Sequence, residues 1–136
     1  MASEKRPGWE TSADAREIQD EMKTSAYKEI KDIKWETHPI NDKLKLAFLL
    51  TKKEDGVEVT SLLAKIPKGE ELPEHTHEVH DIIFPLSGEA KIWIKGMGEF
   101  ELKKGVIVHV PPGVPHKVYN VTEDLDIYDV FSGPIV

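Results

Sequence analysis

Apolar residues recur at every second position through much of this chain. Leu44, Leu46, Phe48 and Leu50 do so first, then Ala90, Ile92 and Ile94. Period 2 is the signature of a strand that buries one face. The same reading predicts strands over Val57–Ile66, Ile82–Leu86, Glu89–Lys95, Glu99–Leu102, Val106–Val110, His116–Val121 and Leu125–Phe131. Ile30, Ile33 and Trp35 predict one more, of uncertain register, before His38-Pro39. Between these runs stand turn formers. Lys52-Lys53-Glu54-Asp55-Gly56 reads as a hairpin connection with an Asp-Gly turn, and Pro67-Lys68-Gly69 breaks the return strand. Ser87-Gly88, Gly96-Met97-Gly98, Lys103-Lys104-Gly105 and the corner Pro111-Pro112-Gly113 follow. Strands punctuated every 8–12 residues or so predict an all-β antiparallel sandwich or barrel.

The N-terminal part reads differently. Residues 1–10 form a loose tail. Thr11 or Ser12 caps a short helix over Ala13–Lys23, with Asp14 and Glu17 near its positive end. Its apolar content is thin (Ala13, Ala15, Ile18, Met22), so it is expected to lie along the body or on a partner subunit. Two parts follow: 1–26 as tail and helix, 27–136 as the β body.

Composition narrows the function classes. The chain has 136 residues, one domain's worth, with 39% hydrophobic and 32% charged residues. No apolar run reaches the ~18 residues of a membrane helix. The opening Met1-Ala2-Ser3-Glu4-Lys5-Arg6-Pro7 lacks the apolar core of a secretion signal, and a cytoplasmic location is expected. A net charge of −7 argues against a nucleic-acid partner. With no cysteine, any metal must be held by nitrogen and oxygen donors.

Such donors are concentrated in one stretch, Pro73-Glu74-His75-Thr76-His77-Glu78-Val79-His80-Asp81. His75 and His77 are i and i+2, which on a strand puts both Cβ atoms on one face about 7 Å apart. Imidazoles leaning inward from that spacing both reach one ion at about 2.1 Å. In a regular strand Asp81 shares this face and His80 takes the other.

The spacing extends into two blocks. The first runs Gly69, five residues, His75, one, His77, three, Asp81, six, Gly88. The second runs Gly105, five residues, Pro111, one, Gly113, two, His116, three, Asn120. Together they resemble the two-part signature of the cupin superfamily, departing only at Asp81, where these families usually carry Glu. The resemblance implies a double-stranded β-helix, or jelly-roll, barrel behind the short N-terminal helix. It also implies that His75, His77, Asp81 and His116 bind one divalent transition metal inside it. An imidazole and carboxylate shell suits Fe, Mn, Ni, Cu or Zn. Asp is one methylene shorter than Glu, a loss of reach of roughly 1.5 Å. The strand moves inward, or Asp81 ligates through water or not at all; His80 substitutes only if the loop after His77 bulges.

His109 sits among Val106, Ile107, Val108 and Val110. Pointing inward it serves as an acid or base near the metal; pointing outward it is a surface or interface histidine. Phe48, Phe84 and Phe131 are expected in the core, and Tyr119 and Tyr128 on an outer face. Trp93, between Lys91 and Lys95, together with Trp35 points to a homodimer interface. His38, before Pro39, calls for no functional account. The family resemblance implies a metalloenzyme acting on a small oxygenated molecule, dioxygenase-like oxidative cleavage first, with isomerase, decarboxylase or lyase chemistry on a sugar acid or carboxylic acid behind it. A non-catalytic small-molecule binder or sensor is the alternative.

Overall fold

The computed structural model describes residues 26–136. The helix expected over Ala13–Lys23 lies outside the described residues. The described chain is built on strands: β1 (Glu36–His38), β2 (Asn41–Leu50), β3 (Thr60–Ile66), β4 (Leu72–His75), β5 (Asp81–Ile94), β6 (Gly98–Lys103), β7 (Val108–Val110) and β8 (His116–Phe131). Among the described residues no helix is long and apolar enough to cross a membrane.

β5 and β8 organise everything else. Each is one long strand where the sequence predicted two. They run antiparallel to each other along both halves. Asp81 to Pro85 pairs with Phe131 to Ile127, and Lys91 to Ile94 pairs with Tyr119 to His116. Between these halves the register shifts at Pro85, Ser87 and Glu89. The inward set changes phase there, from Ile83 and Pro85 to Ala90, Ile92 and Ile94. Ser87-Gly88 therefore bends a continuous strand rather than reversing it. Gly88 sits at φ 90°, and a Cβ on it would stand 2.1 Å from the Asp124 carbonyl oxygen. Only glycine fits where the two backbones cross so closely.

The bends divide the ladder into two arms. One arm is β1-β2-β3, the C-terminal half of β8, the N-terminal half of β5, and β7. The other is β4, the N-terminal half of β8, the C-terminal half of β5, and β6. Leu44, Ile66 and Leu125 from the first arm and Ile92, Leu102 and Val118 from the second belong to one buried cluster. Each such side chain contributes roughly 1.5–3 kcal/mol on leaving water. This is the jelly-roll arrangement that the two blocks implied.

Local departures from the expected elements have physical causes. Ile30–Asp32 is a 3-10 turn, not a strand, closed by the Ile33 N–H donating to the Ile30 carbonyl at 3.1 Å. The spacing Ile30/Ile33 is that of a turn. Lys52–Asp55 is one turn of helix, α1, within the expected hairpin connection of β2 and β3, in place of a tight Asp-Gly turn. The Thr51 hydroxyl caps it by accepting from the Glu54 N–H at 2.9 Å, and Gly56 ends it at φ 72°. Asp55 is buried beneath, accepting from the Thr51 N–H at 3.0 Å and pairing with Lys28 at 2.8 Å. The return strand accordingly starts at Thr60.

Of the aromatics expected in the core, Phe131 is buried and Phe48 is half-buried. Phe84 is 40% exposed and stacks on Tyr128 on the outer face, ring centroids 6.4 Å apart. It follows Ile83, whose inward position forces its neighbour out. Trp93 is half-buried on the outer face of β5, and Trp35 lies under the Lys65 ammonium at 5.1 Å.

Candidate metal centre

His75 ends β4 and pairs in register with His116, which starts β8. His77 lies beyond the end of β4, in the loop 76–80, so the shared strand face inferred for His75 and His77 is not how they meet. The loop is tied down instead: the Gly113 N–H, in the Pro111-Pro112-Gly113 corner, donates to the His77 carbonyl at 2.7 Å. The corner thus fixes the loop that carries His77 and leads directly into His116. Phe131 sets its ring edge against His77 at 4.8 Å between centroids.

The three imidazoles converge. Their centroids are 4.9 Å (His75–His77), 4.2 Å (His75–His116) and 5.5 Å (His77–His116) apart. One nitrogen of each lies within 4.8 Å of the others. Two rings are oriented by the same local device. His75 Nδ1 meets the Pro73 carbonyl at 2.7 Å, and His116 Nδ1 meets the Val114 carbonyl at 2.9 Å, each two residues upstream. A carbonyl only accepts, so each Nδ1 carries the proton and each Nε2 presents a lone pair to the centre. His116 Nε2 is buried there without a hydrogen-bond partner. Burial, and then the neighbouring imidazoles, push His75 down to about 4. Burial also lowers His77, against the pull of Asp81. Rings held neutral are what metal ligation requires.

Asp81 opens β5 on the same wall. Its Oδ2 is 3.4 Å from His116 Nε2 and 3.8 Å from His77 Nε2. Donors on adjacent positions of a shell with bonds of about 2.1 Å stand roughly 3 Å apart. The side chain is buried, and its other oxygen has no hydrogen-bond partner. A cluster of inward lone pairs and a carboxylate, several unpartnered, costs free energy unless a cation lies among them. The donor set therefore fits a divalent transition metal.

Asp129 was not foreseen. It faces the same pocket, diagonal to Asp81 across the β5/β8 pair: Asp81 opposes Phe131 and Ile83 opposes Asp129. Burial pushes its carboxyl well above the usual range, and the adjacent Asp81 pushes it further. Burial would raise Asp81 too, but the neighbouring Asp129 carboxyl outweighs that and holds it low. The two neighbouring carboxyls are thus pushed in opposite directions. The signal was present in the sequence: in the inward series Leu125, Ile127, Asp129, Phe131, one member is an acid.

His38, for which no functional role was expected, also lines this pocket. Its Nδ1 accepts from the Ile40 N–H at 3.2 Å, leaving Nε2 to carry the proton. Burial, and then the nearby His77, lower its pKa. His109, expected as a possible acid or base beside the metal, points the other way. It is exposed between buried Val108 and Val110, and its Nε2 lies 2.7 Å from His80 Nδ1 in a stacked pair on the outer face. That pairing also removes His80 from the metal wall. Both follow from register, since Ile82, opposite His109, points outward.

The pocket encloses about 450 Å³ between the two arms. Leu46, Phe48, Leu62, Leu72 and Ile127 add apolar lining beside the polar cluster.

Comparison with known proteins agrees with this geometry. A family model described as a cupin domain matches residues 62–131, which holds every proposed donor. An uncharacterized protein of Streptomyces coelicolor is 40% identical over 58 residues, 43% of this chain and 54% of that protein. The chain thus spans about half the length of that relative. Among solved structures, an RmlC-like cupin from Shewanella frigidimarina superposes with a TM-score of 0.69 at 21% identity, covering 82% of this chain and 94% of that one. An oxalate decarboxylase variant of Bacillus subtilis gives 0.66 at 17% identity, over 78% of this chain and 29% of that one. A structure from a study of DMSP lyases gives 0.64 at 13%, over 74% and 57%. At these identities the likeness is one of fold.

Proposed function

Because the chain belongs to the cupin domain family, we propose that its barrel pocket is a divalent-metal site acting on a small oxygenated molecule. His75, His77 and His116 are the nitrogen donors and Asp81 the oxygen donor. When bound, the ion supplies Lewis acidity, a lowered pKa for bound water, or redox capacity if it is Fe, Mn, Ni or Cu. The residues do the rest. The Pro73 and Val114 carbonyls orient two rings, Asp129 donates to Asp81 and keeps it ionised, and the apolar wall excludes water. Oxidative, dioxygenase-like cleavage is the reaction class proposed first. Decarboxylase or lyase chemistry is second, favoured by the oxalate decarboxylase and DMSP lyase among proteins of the same fold.

The observation that carries this reading is the convergence of three imidazole nitrogens, one of them buried and unpartnered. Metal analysis of protein purified without an affinity tag tests it, followed by reconstitution with Fe, Mn, Ni, Cu and Zn in turn. About one equivalent of one metal is expected, with thermal stabilisation of about 2.7 kcal/mol at a free metal concentration a hundredfold above Kd. His116→Gln should abolish both. Failure of every metal to bind would sink the proposal. Oxygen consumption with a panel of oxygenated substrates then separates the dioxygenase reading from the others.

Assembly and location belong to the same proposal. A second copy of the chain is placed against the outer face of β5 and β8, where Ile82, Phe84, Leu86 and Tyr128 lie side by side. A cytoplasmic location accords with the absence of cysteine.

A further inference from the structure

The metal cluster occupies one wall of the pocket, and the composition of the remaining walls restricts what can enter. Granted the metal-site reading above, we propose that the ligand is a molecule with one oxygen-bearing head and an uncharged, largely apolar body, and that dianionic acids are excluded.

Three observations carry this. Among the described residues no Lys or Arg lines the pocket. The charged or ionisable lining groups other than imidazoles are all carboxyls: Glu36, Asp81 and Asp129. A single anionic or enolic head is neutralised at the metal cluster. A second carboxylate, or a phosphate, held within the pocket of about 450 Å³ would lose part of its water and find no cation, with carboxyls as its neighbours. The wall that a ligand body would meet is Leu46, Phe48, Leu62, Leu72 and Ile127, which rewards apolar surface instead. His38 adds a donor. With Nδ1 accepting from Ile40, its Nε2–H is left for a neutral oxygen of the ligand. Together these describe a site that reads one polar end and tolerates no second charge.

A matched pair of probes tests the inference: octanoate and octanedioate, equal in length and differing only in whether the far end is methyl or carboxylate. Binding is measured by calorimetry on zinc-loaded protein, which does not turn over by redox chemistry, and on metal-free protein. Octanoate is expected to bind at least about tenfold more tightly than octanedioate to the loaded form. Phe48→Lys, and independently Ile135→Lys at the pocket's edge outside any strand, each supply the missing cation and should shrink that ratio. Octanedioate binding the loaded form as tightly as octanoate, no binding of either acid to that form, or a ratio unmoved in a folded lysine variant would each overturn the inference. On metal-free protein, where no ion meets an anionic head, 1-octanol is expected to bind at least about tenfold more tightly than 8-hydroxyoctanoate, and equal binding of these two overturns the inference; a protein that takes up no zinc therefore overturns the metal site alone.

Discussion

The His75 imidazole shows how one residue ties stability to metal readiness. In the unfolded chain it titrates near 6.5, and in the folded chain near 4, chiefly because burial disfavours its charged form. Between those values the unfolded chain holds more protons. The stabilisation is therefore complete above pH 6.5 and is lost as the pH falls toward 4, where the loss levels off. The ring is partly exposed, which trims the effect to on the order of 2 kcal/mol. Urea unfolding of metal-free protein at pH 7 and pH 4.5 should show this loss, and His75→Gln should flatten it. Asp129 acts at the same scale. Asp129→Asn keeps a donor toward Asp81, whereas Asp129→Leu removes it; metal affinity should fall roughly 10–100-fold in the second variant and much less in the first.

At the scale of elements, the fold depends on two long strands bending without breaking. Gly88 is where β5 turns from one arm to the other, and β8 makes the matching bend at Asn120, the one non-glycine residue at positive φ among those described. Gly88→Ala combines a φ of 90° with a Cβ 2.1 Å from a backbone oxygen, and backbone cannot step aside as a side chain can. A loss of roughly 3 kcal/mol or more is expected, read as a lower urea midpoint. A variant as stable as the parent would mean that the two strands do not cross there. The corner Pro111-Pro112-Gly113 is the other critical element. Its Gly113 N–H holds the loop of His77, so the second block secures a donor of the first.

At the scale of the molecule, the inner and outer faces of the same strands divide the labour. Inward residues of β5 and β8 build the metal wall and the core. Outward residues leave Phe84 40% and Leu86 49% exposed beside Tyr128. This exposed apolar strip is the face on which the proposed second copy would sit. Light scattering should give the mass of a homodimer, and Phe84→Glu should halve it without loss of bound metal. A monomeric parent would remove the second copy from the proposal.

Much of this protein follows from its chain alone, and the legible parts share a cause. Strand character, the turns at glycines and prolines, and the two histidine blocks are local patterns, set by residues a few positions apart. They were enough to anticipate an all-β sandwich or barrel and, through the family resemblance they carry, to name His75, His77, Asp81 and His116 as candidate ligands, even though His77 arrives from a loop rather than from the face of a strand. Tertiary structure decided whatever hangs on register. A one-residue slip turns every side chain to the opposite face, and the bulges between Pro85 and Lys91 impose such slips. So the pairing of β5 with β7 sent His109 outward to meet His80, the pairing of β5 with β8 set Asp129 beside Asp81, and the folding of β1 over the pocket brought His38 to its wall. Distances between strands far apart in sequence are written in no local pattern, and it is those distances that make three histidines and two carboxyls into one site.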